Sequence, residues 1–215
     1  MIRNTLLFIL VCLLAACKQK PGTTAGQEPT AFSGAEEVTA AVSALLPSPH
    51  SFQLKQAKKW HDTSGENWLV LYETGSYIPK LHTAASARLS AILYLKTDSG
   101  FVEKWRHTDG IADCTQDVIC AFYENQLSVT DLDSNGLAEV TLVYALGCKG
   151  TDVVPEKMLV LLEANRKYTL KGTVPSLVHS DSTQGIITHD TAFAAAPAVF
   201  RSFARDYWSR FGRGK

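Results

Sequence analysis

Residues 88–107 read RLSAILYLKTDSGFVEKWRH, and this stretch decides the fold class. Two runs rich in apolar and aromatic side chains, 88–97 and 101–107, flank the turn-forming sequence Asp98-Ser99-Gly100. Strand-like runs on either side of a short turn that contains glycine are typical of a β-hairpin. The sequence therefore predicts two antiparallel strands joined by a tight connection.

The same pattern recurs on both sides of this hairpin. Three further pairs of strand-like runs flank short polar turns, at 52–60 with 67–73, 117–123 with 127–131, and 157–163 with 167–172. One more run, 138–146, stands alone. Consecutive hairpins build an antiparallel sheet, so we predict a mainly β domain of the α+β class.

A helix is predicted at each end of this sheet. Ser33 followed by Glu36 forms a capping-box pattern, after which apolar residues recur at helical spacing until Pro47 ends the run. Near the carboxyl terminus, Pro197 suits a first helical turn. An apolar stripe follows it at Phe200, Phe203, Tyr207 and Phe211. We predict an amphipathic helix packed on the sheet, with a helix lying on an anionic membrane as the alternative.

Residues 1–16 have the organisation of an export signal. Arg3 gives a positive start, an apolar run covers 6–14, and small residues precede Cys17. The alternatives are ordinary secretion and a membrane-spanning anchor, although the apolar run is shorter than the ~20 residues that a spanning helix needs. The string Leu-Ala-Ala-Cys resembles the lipobox of bacterial lipoproteins, which implies cleavage before Cys17 and lipid on that cysteine. Residue 18 is Lys rather than Asp, which implies the outer rather than the inner membrane.

Composition divides the rest of the chain into a tether and one domain. Residues 17–32 are rich in Gly, Pro, Thr and Gln and predict a lipid-anchored flexible tether, which leaves 33–215 as a single domain. The whole chain carries 21 Lys and Arg residues against 21 Asp and Glu residues. With no strongly basic balance, we expect no nucleic acid partner.

Three cysteines remain after Cys17, namely Cys114, Cys120 and Cys148. An oxidising compartment outside the cytoplasm favours one disulfide and leaves one thiol over. Cys120 lies inside an apolar strand-like run, whereas Cys114 and Cys148 lie at loop-like ends. The residues favour the pair Cys114–Cys148, and a pairing with Cys120 stays open.

One motif carries chemistry, and it reads DLDSNGLAE at 131–139. Calcium prefers six to eight oxygen ligands, and alternate residues at a tight bend can converge on one ion. Gly136 allows the bend, and the carbonyl of Leu137 would add an oxygen. The sequence therefore predicts a structural calcium site with side-chain oxygens from Asp131, Asp133, Asn135 and Glu139. The alternative is a plain hairpin turn at Asn135-Gly136 with solvated acids.

The motif is not an EF-hand, because position 12 of the loop is Leu142 rather than a bidentate glutamate. It is similar instead to the strand–loop–strand calcium loops of FG-GAP and integrin-type propeller blades. That resemblance implies a propeller-blade-like sheet.

A wider resemblance covers roughly residues 66–211. The matching residues are Asp113-Cys114, Asp117, Thr130-Asp131-Leu132-Asp133, Gly136, Ala138-Glu139-Val140, Tyr144 and Gly147-Cys148-Lys149-Gly150. They resemble a family of bacterial envelope lipoproteins that is loosely labelled as surface-polysaccharide proteins and has no assigned reaction. The chain departs from the family pattern at Asn135, where the family often has Asp, and at 151–155. The resemblance implies a surface location and the pair Cys114–Cys148.

The sequence contains no nucleophile elbow, phosphate loop, dinucleotide fingerprint or H-E-x-x-H motif. Glycosidase chemistry needs two facing carboxylates, and the candidates are Glu73, Glu103, Asp113 and Asp117. We therefore predict a non-catalytic, calcium-stabilised envelope lipoprotein that binds a surface glycan or a protein partner. The alternative is an accessory glycan-processing enzyme of the envelope.

Overall fold

The computed structural model describes residues 32, 34–46, 48–150, 154–173 and 186–211. The predicted leader, Cys17, the tether except for residue 32, and Ser33 lie outside the described residues. In chain order the elements are β1 (Glu36–Glu37), α1 (Thr39–Leu45), β2 (Gln53–Asp62), β3 (Gly65–Glu73), β4 (Ala85–Thr97), β5 (Gly100–Cys114), β6 (Asp117–Phe122), β7 (Ser128–Thr130), β8 (Glu139–Lys149), β9 (Glu156–Glu163), β10 (Arg166–Thr173), β11 (Ile187–His189), α2 (Thr191–Ala194) and α3 (Ala198–Phe211).

The strands form two antiparallel sheets rather than the one sheet that was predicted. The first sheet has the order β1-β2-β3-β4-β5, and the second has the order β11-β10-β9-β8-β6 with β7 also paired to β8. The prediction of a mainly β fold is confirmed. The hairpins β2–β3, β4–β5 and β9–β10 contain the predicted pairs of runs.

The predicted hairpin between 117–123 and 127–131 is wrong. β6 and β7 do not pair with each other; both pair with β8, at successive stretches of its length. Phe122 lies opposite Tyr144, and Ser128 lies opposite Thr141. β8 has 11 residues, which is long enough to satisfy the backbone groups of both short strands. The chain therefore does not reverse at Glu124-Asn125, and β6 and β7 run in the same direction along β8.

One apolar core contains residues of both sheets. Leu69, Leu89 and Leu93 come from the first sheet, and Leu142 and Leu162 from the second, all in one buried cluster. β3 is buried on both faces, because Leu69 and Leu71 face this core while Trp68 and Val70 belong to a cluster with α1. Burial on both faces explains why this strand reads as a continuous apolar run.

The helices lie on the outer faces of the sheets. Val42 of α1 packs with Ala57, Trp68 and Ile92 of the first sheet. Phe200, Phe203, Ala204 and Trp208 of α3 form a buried cluster with Leu159, Leu161 and Tyr168 of the second sheet. In the described part of the chain, every helix is too short or too polar to cross a membrane.

α1 begins later than the capping-box pattern predicts. Glu36 lies in β1 and pairs with Lys59 of β2, and the helix begins at Thr39 with Val38 as its cap residue. The side chain of Val38 makes no capping hydrogen bond. Glu36, which the capping-box pattern assigned to the helix, therefore belongs to a strand.

Candidate metal centre

The loop between β7 and β8 wraps its backbone amides around two carboxylates. The N–H of Asn135 donates to Asp131 Oδ1 at 3.1 Å and to Asp133 Oδ1 at 3.2 Å, and the N–H of Gly136 donates to Asp131 Oδ2 at 3.1 Å. Ser134 and Gly136 both adopt positive φ, at 60° and 80°, which makes the bend sharp. The loop is therefore built around the side chains that the motif singled out.

Three carboxylates of the loop converge. One oxygen each from Asp131, Asp133 and Glu139 lies within 4.8 Å of the other two. Asp133 is exposed, Asp131 is half-buried and Glu139 is fully buried, so the group has an open side and a closed floor. Such an acidic triad could hold a metal ion.

The floor of this group contains an orphaned oxygen. Glu139 has 0% exposure, and its Oε2 accepts the N–H of Leu132 at 2.6 Å. Its Oε1 is buried and has no hydrogen-bond partner among the described residues. A buried carboxylate oxygen without a partner is costly, and a hard cation would satisfy it. The residues present therefore fit a bound cation.

Burial and the neighbouring acids disfavour the charged form of Glu139. Burial raises the pKa of Glu139 to about 8, against the opposing hydrogen bond from Leu132. The negative charges of Asp133, Glu163 and Asp131 raise the pKa further. A cation among these carboxylates would favour their ionised forms.

The other two predicted ligands, Asn135 and Leu137, make hydrogen bonds with each other. Asn135 Oδ1 accepts the N–H of Leu137 at 2.7 Å. Asn135 Nδ2 donates to Asp133 Oδ2 at 3.2 Å and to Glu163 Oε1 at 2.7 Å. Their roles as metal ligands stay predictions.

Two acidic residues beside the loop were missed at the sequence level. Glu163 ends β9 and lies directly opposite Glu139 in the strand register. Asp62 ends β2, and its Oδ2 accepts the N–H of Ala138 at 3.2 Å. Neither residue belongs to the motif, and only the pairing of β8 with β9 and the packing of the two sheets bring them there.

The loop also docks on the turn between β2 and β3. The N–H of Thr63 donates to the carbonyl of Gly136 at 3.0 Å. Asp62 accepts from Trp60 Nε1 at 2.9 Å and from Ser64, and these hydrogen bonds outweigh the effect of burial and lower the pKa of Asp62. The loop therefore joins the second sheet to the first.

A disulfide joins the two sheets at the other end of β8. The sulfur atoms of Cys114 on β5 and Cys148 on β8 lie 2.11 Å apart, at bonding distance, with their Cα atoms 5.5 Å apart. Cys120 is a free, buried cysteine, and burial raises the pKa of its thiol to about 12.

The four acids considered for glycosidase chemistry have separate partners. Glu103 pairs with Arg106 at 2.5 Å, and Asp113 with His82 at 3.0 Å. Asp117 lies at the start of β6, opposite Lys149 in the register. Of the four, only Glu73 lines a cleft of about 580 Å³, which Glu37 and Glu124 also line.

Two of the three carboxylates of this cleft, those of Glu37 and Glu73, have partners within the protein. Glu73 Oε2 lies 3.1 Å from Lys55 Nζ, and its Oε1 accepts the N–H of Phe122 at 2.7 Å. Burial acts to raise the pKa of Glu37, but hydrogen bonds from Thr39, Gln56 and Ala57 outweigh it and lower that pKa. The lowered pKa keeps the carboxyl group of Glu37 ionised at neutral pH, which does not suit it to act as a general acid.

Comparison with known proteins adds no family or fold relative. No protein-family model, no curated protein and no solved structure matches the chain. The resemblances to envelope lipoproteins and to FG-GAP loops therefore stay predictions.

Proposed function

We propose that the chain is a lipid-anchored protein of the bacterial cell envelope, whose domain is a non-catalytic binding module stabilised by calcium. The observation that carries the metal part is Glu139, whose buried Oε1 has no hydrogen-bond partner among the described residues and whose carboxylate converges with those of Asp131 and Asp133. A structural calcium ion at this point would offset two of the three negative charges and fix the loop that joins the two sheets.

Calcium is the cation that the donor set favours. The candidate ligands are all oxygens, which suit calcium and magnesium better than zinc or copper. Three carboxylates, with Asn135 Oδ1 and the Leu137 carbonyl, would give an irregular site of the kind that calcium accepts and magnesium, with its strict octahedral geometry, disfavours. The proposed site would be of the same kind as the calcium loops of propeller blades, which the motif resembles.

A calorimetric titration tests the choice of metal. The full chain, purified in non-ionic detergent, is titrated with calcium, magnesium and zinc chlorides in separate runs. We expect one calcium site per chain, weaker binding of magnesium, and no binding of zinc at this site. Equal affinity for zinc would contradict an oxygen-only site.

The lipid anchor is supported by the leader and by Cys17. A lipobox cysteine carries several acyl chains, and two or more chains anchor a protein stably. Growth of expressing bacteria with a labelled fatty acid should label the wild-type protein and not the Cys17→Ser variant. Lys18 supports the outer membrane as the destination, which density separation of the two membranes would test.

The partner that we propose is a surface glycan or an envelope protein. The polar cleft between the sheets supports this part of the proposal, because amides, a hydroxyl and carboxylates line it together with Tyr123. Such a lining can form hydrogen bonds with a hydroxyl-rich ligand. A glycan array probed with the full chain tests the glycan reading, and envelope cross-linking tests the protein reading.

An accessory glycan-processing enzyme is the second candidate, and the cleft with Glu37 and Glu73 is the observation that favours it. A hydrolase would need one carboxyl group held protonated and a second one ionised. Release of reducing ends from envelope glycans, lost in a Glu73→Gln variant, would favour the enzyme over the binding module.

A further inference from the structure

Glu163 holds a carboxylate beside the loop without belonging to it. It is the last residue of β9 and the direct cross-strand partner of Glu139. Directly opposed residues of an antiparallel pair project to the same side of the sheet, with their Cβ atoms about 4.5–5.5 Å apart. A second carboxylate is therefore fixed by the sheet next to the buried glutamate.

Glu163 also contacts the loop through Asn135. Asn135 Nδ2 lies 2.7 Å from Glu163 Oε1 and 3.2 Å from Asp133 Oδ2. An ionised carboxylate can only accept hydrogen bonds, so the amide nitrogen must face Glu163. The amide oxygen then faces the other way, towards the loop, where it accepts the N–H of Leu137 at 2.7 Å.

Among the described residues, no salt bridge joins a cation to Glu139 or Glu163. Arg166 is the other register neighbour of Glu163, but its guanidinium lies over the ring of Tyr168, 5.8 Å from the centroid. Like charges directly opposite each other destabilise an antiparallel pair. Two ionised carboxylates at Glu139 and Glu163 would therefore repel each other, and a cation bound beside them would offset that repulsion.

We propose that Glu163 is a positioning residue of the calcium site, which orients the amide oxygen of Asn135 and adds a fourth carboxylate to the charge that attracts the ion. This inference rests on the proposed calcium site. It assigns to the site a residue from another strand. With Glu163 the site has four carboxylates, although the fifth position of the loop is Asn135 and carries no charge.

The test compares two variants of Glu163 with a matched control from the same strand. Glu163→Gln removes the charge and keeps an acceptor for Asn135, whereas Glu163→Ala removes both. Glu156→Gln is the control, because Glu156 is the first residue of β9 and its carboxylate pairs with Lys171 at 2.8 Å in an exposed position. Calcium affinity is measured by calorimetry on the full chain in detergent, and the thermal midpoint is measured in excess chelator.

We expect Glu163→Ala to weaken calcium binding by about 10- to 100-fold, the range for outer partners of metal ligands. We expect Glu163→Gln to weaken it less, by about 3- to 10-fold, and the control to bind like the wild type. The calcium-free midpoint of Glu163→Gln should stay close to that of the wild type, because glutamine keeps an acceptor for Asn135.

Three results would overturn the inference. Wild-type affinity in both Glu163 variants, with loss of binding in Asp131→Asn, would leave the calcium site standing without Glu163. A lower calcium-free midpoint in Glu163→Gln, together with weaker binding, would make Glu163 a structural residue of the strand. Absence of calcium binding by the wild type would remove the proposed site and this inference with it.

Discussion

Glu139 of β8 and Glu163 of β9 lie directly opposite each other across an antiparallel pair, beside a loop that brings two aspartates to the same place. The fully buried member, Glu139, has one oxygen without a partner among the described residues. A cation that binds among these acids would stabilise the folded state. The predictions below follow from this arrangement and from the contacts around it.

The buried carboxylate should matter more to metal binding than to the metal-free fold. Glu139→Gln keeps the shape of the side chain and an acceptor for the N–H of Leu132 but removes a charged ligand. We expect calcium affinity to fall at least about tenfold, while the calcium-free stability changes by less than about 1 kcal/mol. Calorimetry and urea denaturation of the same samples check the two parts. A large loss of calcium-free stability with unchanged affinity would contradict the assignment.

Gly136 should be intolerant of a side chain for two separable reasons. Its φ is 80°, and an added Cβ would lie 2.8 Å from Thr63 Cγ2. Gly136→Ala should therefore destabilise the domain by about 1–2 kcal/mol in urea denaturation. The matched control adds Thr63→Ser, which removes the methyl group and keeps the backbone hydrogen bond. Part of the lost stability should return in the double variant, and an equal loss in both would mean that the clash is irrelevant.

The disulfide that joins the two sheets should contribute strongly to the free energy of unfolding. Cys114 and Cys148 are 34 residues apart in sequence, so the bond restricts a loop for which chain entropy gives about 3–4 kcal/mol. Replacement of both cysteines by alanine should lower the free energy of unfolding by that amount. Cys120 supplies an internal check, because its buried thiol should react with a thiol reagent only after unfolding. Rapid reaction of the native chain at Cys120 would contradict its burial.

His107 should make stability depend on pH in one direction. Burial lowers its pKa from the ordinary 6.5, with a smaller effect from the charge of Lys167, while its Nε2 lies 2.8 Å from Tyr144 Oη. The unfolded chain therefore binds a proton at this residue more readily than the folded chain. Stability supplied at neutral pH is lost as the pH falls below about 6.5 towards the lowered folded value.

A variant isolates this effect from the other titrating groups. Urea denaturation of the wild type and of His107→Gln at pH 7.5 and pH 5.5 should show a larger loss for the wild type on acidification. The difference can be at most about 1.4 kcal/mol per pH unit. An identical pH dependence in both proteins would mean that His107 titrates alike in the folded and unfolded states.

Local patterns predicted the strands better than their partners. The β4–β5 hairpin could be read from one stretch because both strands and the turn are contiguous. The division into two sheets could not, since nothing local distinguishes β8 as the strand that pairs with β6, β7 and β9. β5 continues past 107 to Cys114, although Asp109-Gly110 resembles a turn. There a Cβ on Gly110 would lie 2.4 Å from the carbonyl oxygen of Ala87, so this glycine serves a close approach of two strands.

Some residues of the candidate site could likewise be predicted from the sequence, and others could not. Asp131, Asp133 and Glu139 could be predicted because they share one short loop with a required glycine. Glu163 and Asp62 could not, because strand pairing and sheet packing bring them to the loop from distant parts of the chain. The burial of Glu139 is also a tertiary property, since the sequence shows only an acid at the start of an apolar strand.

Thermal unfolding of the full chain with and without calcium tests the central claim most directly, with an Asp131→Asn/Asp133→Asn variant beside the wild type. A ligand that binds only the folded state raises stability by about 2.7 kcal/mol at a hundredfold excess over its dissociation constant. Calcium should therefore raise the midpoint of the wild type by several degrees and leave that of the variant unchanged. If millimolar calcium moves neither midpoint, or moves both equally, the loop is only a turn. The proposal that calcium bound at this loop stabilises the domain is then wrong.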